Sequence, residues 1–301
     1  MKRLGFSAVV LTLLLLTTAC SKFQRIRQNP NFQAQIKAAY EYYEEEDYYR
    51  AALLFQDLIP LYRGRPESQK MQFTYAYCHY HEGDYLLASH YFRTYFDTYR
   101  RSERAEEALY RSSESLCFDA PDPELDQAST REAIVALQGF INLFPNSEYA
   151  PEATRLLDLQ QQKLESKAFQ NANLYAKVGR HHAAIIAFEN FESGFPDSRL
   201  REQAHYLRTK AAFDYADRSR LHKQEERFKK TIEYHEEFVD KYPESEFKRE
   251  LDVIHQACVR GLERLSKQQA EIEAERKQAE ERERRRRENL EEQEKNAALQ
   301  Q

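Results

Sequence analysis

One short pattern, present in five copies, constrains this chain more than any other feature. A small residue is followed four, seven and eleven positions later by larger, mostly aromatic or aliphatic residues. The copies are Ala51-Phe55-Leu58-Tyr62, Ala88-Phe92-Tyr95-Tyr99, Ala133-Leu137-Phe140-Phe144, Ala184-Phe188-Phe191-Phe195 and Thr231-His235-Phe238-Tyr242. Steps of four, three and four return side chains to one face of an α-helix. The last three copies run directly into Pro145, Pro196 and Pro243, in the phrases FINLFPNSEYAPEA, FESGFPDSRLREQA and FVDKYPESEFKREL; a weaker copy, YFDTYRRSERAEEA, starts at Tyr95. Proline disfavours helical backbone at the residue before it, so a helix is predicted to end at each. Asn146/Ser147, Asp197/Ser198 and Glu244/Ser245 then offer N-cap oxygens to the next helix.

Five copies of a helix-turn unit make a solenoid. The first step, from Ala51 to Ala88, is 37 residues, close to the roughly 34 of tetratricopeptide repeats; the later steps are 45, 51 and 47, which calls for longer helices or loops. A small residue with an aromatic four positions on matches the second helix of such repeats, and the turns Gly83-Asp84-Tyr85 and Gly179-Arg180-His181 precede two of the copies. The expected fold is all-α: a tetratricopeptide-like helical-hairpin solenoid of five repeats over 32–265, closed by a C-terminal capping helix and followed by a charged helical tail at 266–301. Predicted helices cover 32–46 and 48–62, 69–82 and 85–99, 103–118 and 124–144, an extended 147–178 followed by 182–195, and 199–218 with 227–242. A polar connection is expected at 219–225, and the capping helix at 246–265 carries Leu251, Ile254, Cys258 and Leu262 at helical spacing. Scarce glycine (7 residues) and 32% charged residues agree with helix over sheet.

The N-terminus reads as an address. Lys2 and Arg3 precede an apolar run from Leu4 to Leu16, too short to span a bilayer, and Thr17-Thr18-Ala19 leads into Cys20. Residues 1–19 are expected to be a removable signal peptide. A small residue before a lone cysteine resembles a bacterial lipobox, imperfect here because Thr17 stands where leucine is commonest. Cys20 is then the lipidation site, residues 20–31 a lipidated tether, and the chain is held at a membrane by its acyl groups. At the other end the charges of 266–301 recur three or four apart with no apolar seam, which favours a single solvated helix.

Candidate binding residues come from the tyrosines. Fourteen of 20 fall between residues 40 and 110. Tyr40/Tyr43 and Tyr77/Tyr80 occupy equal offsets before their alanines and are expected as core pairs. Tyr42 must then face elsewhere, because neighbours on a helix are about 100° apart. With Tyr75 and His79 it is expected to line a peptide-binding groove, where tyrosine offers a large contact area with a polar tip.

Other chemistry is not encoded in recognisable form. The chain has no GxxxxGK[ST], GxSxG, HExxH or Rossmann glycine phrase. His79-x-His81 and His181-His182 have spacings that do not converge on one ion, and Cys78, Cys117 and Cys258 stand singly, so no metal and no cofactor are expected. The net charge of −5 gives no reason to expect nucleic acid. A binding scaffold is expected, not an enzyme.

The lipobox-like cysteine, the five irregularly spaced repeats and the phrase FINLFPNSEYAPEA together resemble the BamD family, lipoproteins of the outer-membrane β-barrel assembly (BAM) machinery. The resemblance covers about Cys20 to Leu262 and is best at Asp126–Ala153. It implies an anchor in the outer membrane facing the periplasm, N-terminal repeats that bind unfolded outer-membrane proteins, and C-terminal repeats that dock a POTRA domain of a BamA-type barrel protein. The chain departs from that pattern in its longer charged tail and at Ala187, where a basic residue toward the BamA contact is expected. Other envelope scaffolds share some features. YbgF/CpoB-like proteins use similar YPxSxYA phrases, and SusD-like glycan-binding lipoproteins share the anchor. Regular short repeats in the first, tryptophan platforms in the second, and the absence of Trp here argue against both.

Overall fold

The structure, a computed structural model, describes residues 22–299, with side chains to residue 289. The expected signal peptide and Cys20 lie outside the described residues. Among those described, the secondary structure is helical with no strand. After a short helical lead at 22–27 come α1 (Phe32–Glu44), α2 (Tyr48–Leu58) with a 3-10 turn at Ile59–Tyr62, α3 (Pro66–Glu82), α4 (Tyr85–Thr98), α5 (Ala105–Asp119), α6 (Ala128–Leu143), α7 (Ala150–Lys177), α8 (His181–Gly194), α9 (Arg201–Asp217), α10 (Leu221–Lys241) and α11 (Lys248–Leu299). This is the tetratricopeptide-like helical solenoid that the ladder predicts. Helices pack chiefly on their chain neighbours, in two compact units divided between Leu164 and Glu165.

The ladder is core. Ala51, Ala88, Ala133, Ala184 and Thr231 are all fully buried, as are Phe55, Phe92, Leu137 and Phe188 four residues on and Leu58, Tyr95, Phe140 and Phe238 seven on. A head residue without a bulky side chain lets the preceding helix approach, and the rings beyond it fill the space between. His235 is the exception at the +4 position. Its ring stacks on His255 at 4.7 Å, and Nε2 lies 2.8 Å from Asp252 Oδ1. The +11 residues Tyr99, Phe144, Phe195 and Tyr242 are only half-buried, because the helix ends there.

Each of the four phrases builds the same turn. The Ser102, Ser147, Ser198 and Ser245 amides donate to the carbonyls of Tyr99, Phe144, Phe195 and Tyr242 at 2.9–3.2 Å. The serine hydroxyls accept from the amides two residues on, those of Arg104, Tyr149, Leu200 and Phe247 (3.2, 3.0, 2.9 and 3.1 Å). Each following helix starts three residues after its serine. The serine thus holds a separate turn just ahead of the helix, where the sequence suggested an N-cap of the helix itself. In two copies the residue after that turn stacks on an earlier ring, Tyr149 on Tyr110 at 4.7 Å and Phe247 on Tyr206 at 4.4 Å.

Two segments differ from expectation. Residues 221–225 are helical, because Gln224 and Phe228 extend the buried stripe of Thr231 backwards, and the Gln224 side chain donates to the Asp217 carbonyl at 2.9 Å. Residues 124–127 are not helical. The buried Gln127 amide donates to the carbonyls of Asp122 (2.7 Å) and Leu125 (3.1 Å), and Asp126 Oδ1 accepts from the Ala128 amide.

The capping helix and the tail are one helix, α11. Leu251, Cys258 and Leu265 are buried, and every side chain from 266 to 289 is exposed. The exposed part is laced by i,i+4 pairs, among them Lys277–Glu273, Arg285–Glu281 and Arg287–Glu283 at 2.8–2.9 Å. Cys78, Cys117 and Cys258 are free, and burial pushes each thiol up to about 12, so they are packing residues. No described helix is long and apolar enough to cross a membrane.

Candidate functional site

The aromatic concentration of the first two repeats is built on α1, α3 and α4. On α3, Tyr75 and His79 are one turn apart, and their rings meet edge-on at 4.7 Å. Tyr91 from α4 closes over both, 4.6 Å from Tyr75 and stacked on His79 at 5.2 Å. Tyr75 is buried at 7% exposure, and its hydroxyl lies 3.5 Å from that of Tyr91. His79 is half-buried. Its Nδ1 faces Asp84 Oδ2 at 3.6 Å, while Nε2 is buried without a hydrogen bond. Burial lowers the His79 pKa, with Asp84 opposing, and raises that of Tyr75, with Tyr91 adding to it.

Tyr42 packs elsewhere in the same apolar cluster. Its ring meets Phe23 edge-on at 5.8 Å, and the Arg50 guanidinium lies 5.8 Å from its centroid. Phe23 belongs to the stretch expected to be tether. That stretch is folded onto the first repeat: Phe23 is buried, Arg27 pairs with Asp57 at 2.6 Å, and the Gln35 amide donates to the carbonyls of Arg27 and Asn29. The structure thus brings Tyr75 and His79 together under Tyr91 and places Tyr42 against the chain's N-terminal lead.

A second aromatic constellation was not singled out from sequence. His81 stacks on Tyr48 at 4.5 Å and on Tyr77 at 5.8 Å. Tyr77 donates to Glu107, and Tyr80 and Tyr110 donate to Glu114 at 2.9 and 2.6 Å. Arg111 pairs with Glu114 at 2.6 Å, and its guanidinium lies 5.4–6.0 Å from the rings of Tyr77, Tyr80 and Tyr110. Tyr40, Tyr43, Tyr77 and Tyr80 are therefore half-buried, rings inward and hydroxyls toward polar partners where the contacts are defined. The sequence signal was the His81 and Tyr77 pair at i,i+4, but the Glu107 and Arg111 partners come from another repeat. His79 and His81 face different aromatic sets.

The first unit also carries an apolar groove of about 830 Å³ between α4 and α6, floored by Leu109 and Leu116 of α5. Leu86, Leu87, Val135 and Leu143 stand exposed along it. No ladder argument points to these residues, because they lie off the buried face.

The family YfiO, described as outer membrane lipoprotein, matches residues 28–204, more than half of the chain. The chain belongs to this family of outer membrane lipoproteins. A stretch of 97 residues is 30% identical to the outer membrane protein assembly factor BamD of Caulobacter vibrioides. It covers 32% of this chain and 31% of that protein, so the chain matches about a third of the relative's length.

Proposed function

We propose that this YfiO-family chain is a lipid-anchored scaffold of the outer-membrane β-barrel assembly machinery. It is held by acyl groups on Cys20 at the outer membrane, faces the periplasm and catalyses no reaction. Its N-terminal repeats bind unfolded outer-membrane proteins, with Tyr42 and His79 at the peptide-binding surface and the buried Tyr75 supporting His79 from beneath Tyr91. Its C-terminal repeats dock a POTRA domain of a BamA-type barrel protein. The observation that carries the reading is the family match over 28–204 together with the assembly-factor relative. The half-buried rings of Tyr42 and His79, with apolar faces and polar edges, support peptide binding in the first two repeats.

The first test is gentle affinity purification from detergent-solubilised membranes with mass spectrometry. Stoichiometric recovery of a POTRA-containing barrel protein is expected; recovery of Tol-Pal components or a glycan transporter in its place rejects the assembly role. Photo-crosslinkers at His79 and at Val135 then locate substrate. Crosslinks to unfolded barrel chains at 79 support the groove, whereas crosslinks at 135 alone move substrate to the apolar α4–α6 groove.

A further inference from the structure

The second unit contains a strongly basic cleft, in the C-terminal repeats for which the assembly reading names no contact residue. It is about 660 Å³ in volume, lies where the starts of α8 and α10 meet the end of α9, and has no carboxylate among its lining residues. Arg180, Arg218 and Arg220 line it without an ion pair among the described residues. Lys223 and Arg227 add two further cations. Lys223 lies 3.4 Å from Glu226, and Arg227 bonds the Ser219 hydroxyl and sits 3.8 Å from the Tyr215 ring centroid.

The backbone adds charge of the same sign. Helices of 14 and 21 residues, α8 and α10, both begin at the cleft with arginine at the N-cap, no side-chain cap and no acidic residue in the first turn. Apart from the Lys223 amide, which bonds the Arg220 carbonyl at 2.8 Å, their first-turn amides have no intrahelical acceptor, and the helix dipole places a further positive partial charge there. Uncapped starts are common in this chain, but α3 and α5, which also begin at an arginine (Arg65 and Arg104), carry Glu67 and Glu106/Glu107 in their first turns, whereas α8 and α10 carry no acid there. Arginine at a helix start opposes the dipole, and a bound anion resolves that conflict.

A buried group inside the cleft carries the argument beyond surface charge. The His181 side chain is nine-tenths buried, and neither ring nitrogen has a hydrogen bond; the nearest acid oxygen, Asp214 Oδ2, is 3.8 Å from Nδ1. His181 is one of the lining residues, and its Nε2 lies 3.9 Å from where a Cβ on Gly179 would stand. A buried polar group without a partner is costly, and a ligand acceptor in the cleft relieves it.

We propose that this cleft binds a phosphate group. Its donors converge from two helix starts, three unpaired guanidinium groups and one imidazole. They outnumber what the two oxygens of a carboxylate accept and suit the three free oxygens and higher charge of a phosphate monoester. The group is delivered either as free phosphate or as the monoester headgroup of an anionic lipid.

The test uses the full chain carrying Cys20→Ala, so that no acyl anchor contributes. Calorimetric titration with inorganic phosphate in low-salt buffer is expected to give saturable binding with a Kd at or below about 1 mM. Arg180→Glu with Arg220→Glu, both exposed and checked for fold by circular dichroism, should weaken it by about tenfold or more. Arg284→Glu with Arg285→Glu in the tail should leave it unchanged. Absence of saturable binding, loss through the tail variant, or indifference to the Arg180/Arg220 variant overturns the proposal. So does polyglutamate binding that phosphate does not displace. Vesicles of phosphatidylcholine with about one phosphatidic acid in five, whose headgroup is a phosphate monoester, separate the sources. Binding lost in the cleft variant identifies a lipid headgroup, and phosphate binding without it identifies the free anion.

Discussion

At the scale of single residues, burial decides what a substitution costs. Phe140 is fully buried between α5 and α6, so Phe140→Ala should destabilise by about 3–5 kcal/mol in urea titrations. Phe144, one turn on, is half-exposed at the helix end and should cost clearly less; equal losses would mean that the ladder is not graded in this way. Arg208 is the other sensitive point. It is buried, pairs with Glu192 and Glu237 at 2.6 Å each, and covers the Tyr234 ring at 4.3 Å. Arg208→Met strands the buried Glu192 carboxyl, while Glu237 keeps Lys241 at 2.8 Å, and should cost about 3–5 kcal/mol. Beside it, burial first, with Arg208 next, pushes His205 down to about 3. The contribution of its neutral form is therefore fully present above its ordinary value of about 6.5 and is lost as pH falls toward 3. Glu192 acts in the opposite sense. Burial pushes its carboxyl up to about 7 against the pull of Arg208, so its contribution is present below about 4.5 and lost as pH rises through 7. The wild-type advantage over His205→Gln should be largest near neutral pH and shrink on acidification. An advantage that grows toward about pH 4 would contradict this assignment.

At the scale of helices, close approach and solvation set the outcomes. Gly261 on α11 has no room for a side chain: an added Cβ would lie 2.8 Å from the Phe228 ring of α10. Gly261→Ala gains about 1 kcal/mol of helix propensity but forces that ring to move, at about 1–3 kcal/mol, so no net stabilisation is expected. A raised melting temperature would show that Phe228 gives way freely. The described part of the exposed half of α11 is held by its own ion pairs and one side-chain hydrogen bond between Gln269 and Glu225 of α10, and deleting 266–301 should leave the melting temperature of the repeats nearly unchanged. Legibility followed the same physics. The ladder, the proline stops and the capping stripe of Leu251 and Cys258 were readable because they are local and periodic. The start of α10 was missed because Gln224 and Phe228 bury a polar-looking stretch. Within the candidate site, the pairing of Tyr75 with His79 follows from i,i+4 spacing. Tyr91 as their cover, and Phe23 against Tyr42, depend on how separate elements meet, which spacing within one helix does not encode.

At the scale of the whole molecule, the reading joins a membrane address, a stack of binding repeats and a charged rod. Cys20→Ala should move the protein from the membrane to the soluble fraction with its helical content intact; a variant that stays with membranes would remove the acyl anchor from the picture. The rod has a consequence of its own. Its ten acidic and nine basic residues nearly cancel in sum, with the basic charge concentrated at Arg284–Arg287, and the stretch from 266 to 299 extends about 50 Å. It therefore offers neighbours no greasy stripe and almost no net charge. Where many copies crowd together, such a rod keeps other chains at a distance through the volume it occupies.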